Sequence, residues 1–119
     1  IVGGIVWGIG MALHEQGLLD ERFGRIANAN LSEYHVPVNA DIGEIDVIFV
    51  DEDDPHVNPL GAKGIGEPST VAAAGAVLNA LADAIGDDII RRTPVQPEMI
   101  MATLANNRQI AYETLTAFI

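Results

Sequence analysis

The sequence contains no cysteine. That excludes a disulfide framework, a thiolate metal site, an iron–sulfur cluster held by this chain and a cysteine nucleophile. Basic residues are scarce: 6 Lys and Arg stand against 17 Asp and Glu, a formal net charge of −11, and the six are scattered along the chain. With no basic stripe to neutralise phosphates, nucleic acid is not expected as a partner, and a polyanionic surface repels anionic membranes. The longest apolar run, residues 1–13, is too short to span hydrocarbon, and it lacks the basic flank and small-residue cleavage site of a signal peptide. Histidine is also rare, with 3 in the chain. His14-Glu15 misses the second His of a zinc-protease helix, because Leu18 stands there. His35 and His56 have no partner at ligand spacing, and no Ser-His-Asp order can be built from so few. The acidic stretch at residues 51–54 lacks the Gly and the distal Glu of a calcium loop, so it reads as a solvated turn. No metal ligand is assigned to the chain.

What is present fits one domain: 119 residues, 49% of them hydrophobic, enough for a modest core. The sequence opens at Ile1 inside an apolar run, without Met, and is therefore expected to be a piece of a longer product.

Residues 2–16 read as a helix in which Gly4, Gly8 and Ala12 recur every four positions, a smooth ridge that another backbone can approach closely. Glycine inside a helix costs roughly 0.5–1 kcal/mol relative to Ala, so the ridge needs a packing reason. Gly24, in Arg22-Phe23-Gly24-Arg25, marks a turn between two short extended pieces, a hairpin. Residues 30–37 form an ordered connection ending in Pro37, and Asn30-Leu31-Ser32 matches a glycosylation acceptor only as chance allows. Residues 42–50 alternate Ile45, Val47 and Phe49 with Glu44, Asp46 and Ile48, the period of a half-buried strand. A helix is expected to open at Pro68, with Val71, Ala74, Val77, Leu78, Leu81 and Ile85 near one face and Gly86 as its stop. That face should pack on Ile45, Val47 and Phe49. A short apolar pair, Ile89-Ile90, precedes Arg91-Arg92, and Pro97 starts a last helix. The expected class is α+β: helices packed on a small mixed sheet, a partial layer whose sheet needs strands from outside the chain.

The loop Gly61-Ala62-Lys63-Gly64-Ile65-Gly66-Glu67-Pro68 carries the most chemistry. Its glycines permit positive φ and let backbone N–H groups face a ligand, while the helix start beyond adds a favourable anion environment. It lacks the spacing of a Walker loop or a dinucleotide fingerprint, and a plain turn would use the same residues. Glu67 sits where a helix dipole favours a carboxylate, so it reads either as a helix-start acid or as a general base held by a rigid turn. The residues alone leave both open.

The loop, continued through Ser69-Thr70-Val71-Ala72-Ala73-Ala74 and Leu78-Asn79-Ala80-Leu81-Ala82-Asp83-Ala84-Ile85-Gly86, resembles the C-terminal molybdenum-site motif of the xanthine dehydrogenase and aldehyde oxidoreductase family. Val2-Gly3-Gly4-Ile5-Val6-Trp7-Gly8-Ile9-Gly10-Met11-Ala12-Leu13 resembles that family's glycine-rich helix. Asn30-Leu31-Ser32-Glu33-Tyr34-His35-Val36-Pro37 resembles its N-x-x-x-Y-x-x-P connection. The resemblance covers residues 1–105, and residues 106–119 have no counterpart in it.

It implies that residues 1–119 are the C-terminal part of a molybdenum-cofactor-binding domain. The activity it implies is that of a molybdenum hydroxylase oxidising aldehydes or N-heterocycles with water-derived oxygen. Glu67 would be the general base on the metal-bound hydroxide, and Lys63, Gly64, Ile65 and Gly66 would lie against the pterin. The implied cofactor is molybdopterin in its cytosine dinucleotide form, with FAD and iron–sulfur clusters on partner subunits and a bacterial cytoplasmic or periplasmic setting. The other cofactor loops and the substrate pocket lie outside the chain, so the fragment alone should be inactive. Aldehyde, purine and N-heterocycle stay open as substrates, although Tyr-His-Val-Pro and His-Val-Asn-Pro-Leu lean toward bacterial aldehyde oxidoreductases. As a severed piece the chain is expected to expose a sizeable apolar surface around Gly4, Gly8 and Ala12, where the rest of the subunit would pack, and so to self-associate. The rival reading is a non-catalytic binding or assembly domain that docks through the Gly-rich helix.

Overall fold

The computed structural model describes residues 1–86, 90 and 92–116. Ile89 and Arg91, part of the expected short apolar and basic segment, lie outside the described residues, as does the end of the tail.

Helix α1, Val2–Leu13, carries no charged residue. It ends before the expected residue 16 because two consecutive amides, those of His14 and Glu15, both donate to the Gly10 carbonyl, at 2.9 and 2.8 Å. The chain then enters the expected hairpin, with β1 at Leu19–Asp20 and β2 at Arg25–Ile26. The strands pair antiparallel, Leu19 facing Ile26 and Asp20 facing Arg25. Gly24 turns the corner at φ 60°, a left-handed conformation that other residues adopt at a cost. Asn28 locks the hairpin base: its amide donates to the Gln16 carbonyl at 2.7 Å and its carbonyl accepts from the Leu18 amide at 2.8 Å. At 5% exposure Asn28 is the one buried polar residue among those described, and both ends of its side chain are satisfied.

Helix α2, Gly66–Ile85, begins two residues before Pro68. Proline is tolerated there because the first amides of a helix have no partner within it. Gly86 stops the helix at φ 98°, its amide returning to the Ala82 carbonyl. Helix α3 is Pro97–Thr116.

The Gly4, Gly8, Ala12 ridge is where the core sits, and its partner is α2, so the expectation that the piece leaves this ridge exposed is corrected: the covering helix comes from within the chain. A Cβ added to Gly8 would lie 2.6 Å from the Ala73 Cβ and 2.9 Å from the Thr70 carbonyl oxygen; one on Gly4 would meet Ser69 and Thr70. Ala12 is fully buried, Ala73 nearly so, and Val95 seals the far end by donating its amide to the Ala12 carbonyl at 2.7 Å. Gln96 adds a side-chain bond to the His14 carbonyl at 3.2 Å.

Two expectations are corrected. Residues 42–50 form no strand: the segment runs without a ladder partner, and Ile48, Phe49 and Val50 are 85, 72 and 86% exposed. Its alternation is that of a strand, but the backbone that would pair with it is not among the described residues. The sheet is accordingly a two-stranded antiparallel hairpin, not a mixed sheet, and the main packing among the described elements is that of α1 on α2. The apolar face of α2 is turned toward α1, so Ala74, Val77, Leu78, Leu81 and Ile85 are partly covered while Val71, at its edge, is 78% exposed.

The chain remains an α+β piece of something larger. Its radius of gyration is 19.9 Å, whereas a closed domain of this length has about 13.5 Å. Among the described residues α2 is also long and apolar enough to cross a bilayer.

Candidate functional site

The N-terminal turns of α1 and α2 lie side by side because glycines at the contact let the backbones approach. Between them opens a cleft of about 600 Å³, lined by Gly3, Gly4 and Trp7 of α1 and by Gly66, Glu67, Thr70 and Val71 of α2. Glu67 stands in the first turn of α2 with its side chain exposed to this cleft. No side chain caps the helix start; Ser69 instead donates its hydroxyl to the Gly66 carbonyl at 2.7 Å.

The glycines of the loop divide by cause. Gly61 has φ 68° and needs to be glycine for its turn, which Asn58 builds by accepting from the Leu60 amide at 3.0 Å and donating to the Ala62 carbonyl at 2.7 Å. Gly64 and Gly66 have no positive φ, and a Cβ added to either meets nothing within 4 Å. The expectation that all three loop glycines serve positive φ is therefore corrected for these two. Nothing within the described chain requires them to lack a side chain, and the same holds for Gly3 across the cleft. Their bare backbone is the surface a flat cofactor would need for close approach.

Lys63 points elsewhere. Its ammonium lies 2.8 Å from a Glu52 carboxylate oxygen and 3.3 Å from one of Asp54. The hydrogen bond that Lys63 donates to Glu52 is the main reason its pKa is raised above 10.5; burial opposes it, and the bond to Asp54 and the Glu52 charge add to it. The acidic turn at residues 51–54 is thus not merely solvated; two of its carboxylates hold Lys63. Glu52, Asp54, Lys63 and Ile65 line a smaller groove of their own, and Lys63 is not among the residues lining the Glu67 cleft. Lys63 is accordingly set apart from Glu67, while Gly66 joins it.

The Tyr34 connection resolves into a lock that the residues alone did not disclose. Tyr34 donates its hydroxyl to Glu15 Oε2 at 3.0 Å, and the other Glu15 oxygen packs against Gly10 with no partner. Gly10 also admits Pro37, whose Cδ would lie 3.0 Å from an added Cβ. Asn30 is spent on its own turn, accepting from the Ser32 amide at 3.0 Å and donating to Glu33 at 2.7 Å. His14 and His35 share a small polar cleft with Glu33, yet among the described residues no three His or carboxylate side chains are placed to hold a metal ion.

Comparison with known proteins follows the same division. The family described as molybdopterin cofactor-binding domain matches residues 1–43. The chain is 40% identical over 86 residues to the aldehyde oxidoreductase molybdenum-binding subunit PaoC of Escherichia coli K12, covering 72% of this chain and 12% of that subunit. It is 36% identical over 103 residues to the 6-hydroxypseudooxynicotine dehydrogenase complex subunit gamma of Paenarthrobacter nicotinovorans, covering 86% of this chain and 13% of the relative. Quinoline 2-oxidoreductase from Pseudomonas putida 86 shares the fold with a TM-score of 0.68 and 30% identity, over 87% of this chain and 13% of that one. The chain therefore spans about an eighth of the length of these relatives. Together with the glycine-lined cleft, these likenesses show that residues 1–119 belong, as a segment, to the molybdenum-binding subunits of the aldehyde oxidoreductase and xanthine dehydrogenase family.

Proposed function

We propose that this segment forms one wall of the cofactor site in a molybdenum hydroxylase, with Glu67 as the general base. The observation that carries the reading is the cleft at the start of α2. It places an exposed carboxylate beside glycines whose missing side chains nothing within the chain explains. Backbone from Lys63 to Gly66 would hold the pterin, by close approach and by the free amides of the helix start. The Lys63 side chain is engaged with Glu52 and Asp54, so its part is played by the main chain.

When bound, the molybdenum cofactor, here in its cytosine dinucleotide form, supplies the two-electron acceptor. Net chemistry is R–H plus water giving R–OH, two protons and two electrons. The oxygen would come from water, and iron–sulfur clusters and FAD on partner subunits would supply the route by which the electrons leave. Glu67 accepts at its carboxylate the proton of the water-derived oxygen as that oxygen becomes the nucleophile. Aldehydes and N-heterocycles are the substrate class.

The rival, a non-catalytic domain docking through the Gly-rich helix, keeps only the exposed flank of Val2, Trp7 and Met11, because the ridge of Gly4, Gly8 and Ala12 is covered, and cofactor content separates the two readings. The test is made on the full-length protein. It should contain molybdenum and a pterin dinucleotide, and Glu67→Gln should lower kcat by at least about 100-fold with molybdenum unchanged. Correctly assembled protein without molybdenum would overturn the reading as a whole. Near-normal turnover by fully metallated Glu67→Gln would overturn the role of Glu67.

A further inference from the structure

Residues 42–50 include no Pro, so each of them offers both a backbone N–H and a C=O. Among the described residues none of these groups, and no side chain of the segment, makes a hydrogen bond within the chain. The bonds that bracket the segment are that of the Asp41 amide to the Val38 carbonyl, at 2.9 Å, and that of Lys63 to Glu52, at 2.8 Å. Inside it Val47, Ile48, Phe49 and Val50 run without a polar interruption, and the last three are largely exposed. Side chains of a strand alternate between faces, so Val47 with Phe49 and Ile48 with Val50 would make both faces apolar, the pattern of a strand covered on both sides. Acidic residues enclose the run: Glu44 and Asp46 precede it, and residues 51–54 follow it with four acids.

Charge disfavours a second copy of the chain as the partner. Laid antiparallel with Ile48 opposite Phe49, a second copy sets Asp46 opposite Asp51 and Glu44 opposite Asp53; laid parallel and in register, it sets every acid opposite itself. Like charges directly opposite destabilise a strand pair, and each copy brings a net −11. The subunits that this segment matches are about eight times its length, and a strand carried on the same polypeptide meets residues 42–50 at a high effective concentration. We propose that residues 44–50 pair with an extended segment from the remaining length of the same subunit, one with an apolar centre flanked by Lys or Arg. The inference rests on membership of a longer subunit and is independent of the role given to Glu67.

The experiment uses the full-length subunit in its complex. Hydrogen exchange of the amides at residues 44–50 is expected to be slower, by at least about 100-fold, than in a synthetic peptide of residues 42–50. A photo-crosslinker, p-benzoylphenylalanine, in place of Phe49 should capture a stretch of the same polypeptide outside residues 1–119 whose apolar centre is bounded by Lys or Arg. Asp46→Lys should speed exchange of residues 44–50 about three-fold or more, and Asp46→Asn should speed it less. Fast exchange in the intact subunit would overturn the proposal. So would capture of a second copy, of another subunit or of residues 1–119, or of an apolar stretch without flanking bases. Exchange in Asp46→Lys equal to or slower than in the wild type would overturn it as well. The reading of Glu67 stands or falls separately, on molybdenum content and turnover.

Discussion

Gly8 of α1 and Ala73 of α2 are so close that a methyl group on Gly8 would lie 2.6 Å from the Ala73 methyl. The neighbouring obstacles, the Thr70 carbonyl and the Ala74 amide, are backbone and cannot swing aside. Glycine here is the condition for two helix starts to share one cleft.

Gly8→Ala is therefore expected to destabilise the intact subunit. Overpacking costs about 1–3 kcal/mol, and the helix propensity gained returns roughly 1 kcal/mol at most. Gly75→Ala is the control, since a Cβ there meets nothing within 4 Å and should be neutral or stabilising by about 0.5–1 kcal/mol. Denaturant unfolding of both variants measures the difference. Equal shifts would mean that the helix contact does not demand glycine at position 8.

Tyr34→Phe removes the donor from Glu15 Oε2, beside an oxygen that already lacks a partner, and should lower the unfolding midpoint. The Tyr34 phenol is raised above 10.0, first by its hydrogen bond to Glu15, then by burial and the Glu15 charge. A folded pKa above the unfolded one means that the stabilisation is complete below the ordinary tyrosine range and is lost as pH rises through the folded value. The stability gap between wild type and Tyr34→Phe should thus be level below about pH 10 and close above it. A gap that closes on the acid side would assign the effect to another group.

Lys63→Ala should leave cofactor retention nearly intact, because the ammonium it removes is bound to Glu52 and Asp54 and not turned to the Glu67 cleft. Molybdenum content of the full-length protein, measured after gel filtration, should change less than about two-fold, as expected for loss of an exposed ion pair. Marked cofactor loss would show that the side chain, and not the main chain, reaches the pterin.

The helices and the hairpin were legible because their signals are local: glycines every four residues, a Gly turn at Gly24, an apolar face repeating through Ile85, a stop at Gly86 and a start at Pro97. Glu67 and Gly66 were legible as a loop running into a helix start. What could not be read was partnership. Residues 42–50 have a strand's alternation, but a strand exists only with a neighbour, and alternation does not name one. The ridge of Gly4, Gly8 and Ala12 announced close packing without saying that α2 would supply it. Glu15 with Tyr34, and Asn28 with Gln16 and Leu18, depend on chain reversals that no spacing rule encodes. Trp7 stood in view as a residue of an apolar helix, and only the docking of α2 made it part of a cleft.

Val95 and Gln96 reach the end of α1 across most of the sequence, the Gln96 bond to His14 spanning 82 positions. Closing so long a loop costs only slowly more entropy than closing a short one, but it fixes an order of events. Within this segment α1 lacks its partners until α2 and then residues 95–96 have followed. Glu67, carried on the second of these pieces, reaches its place beside Trp7 late.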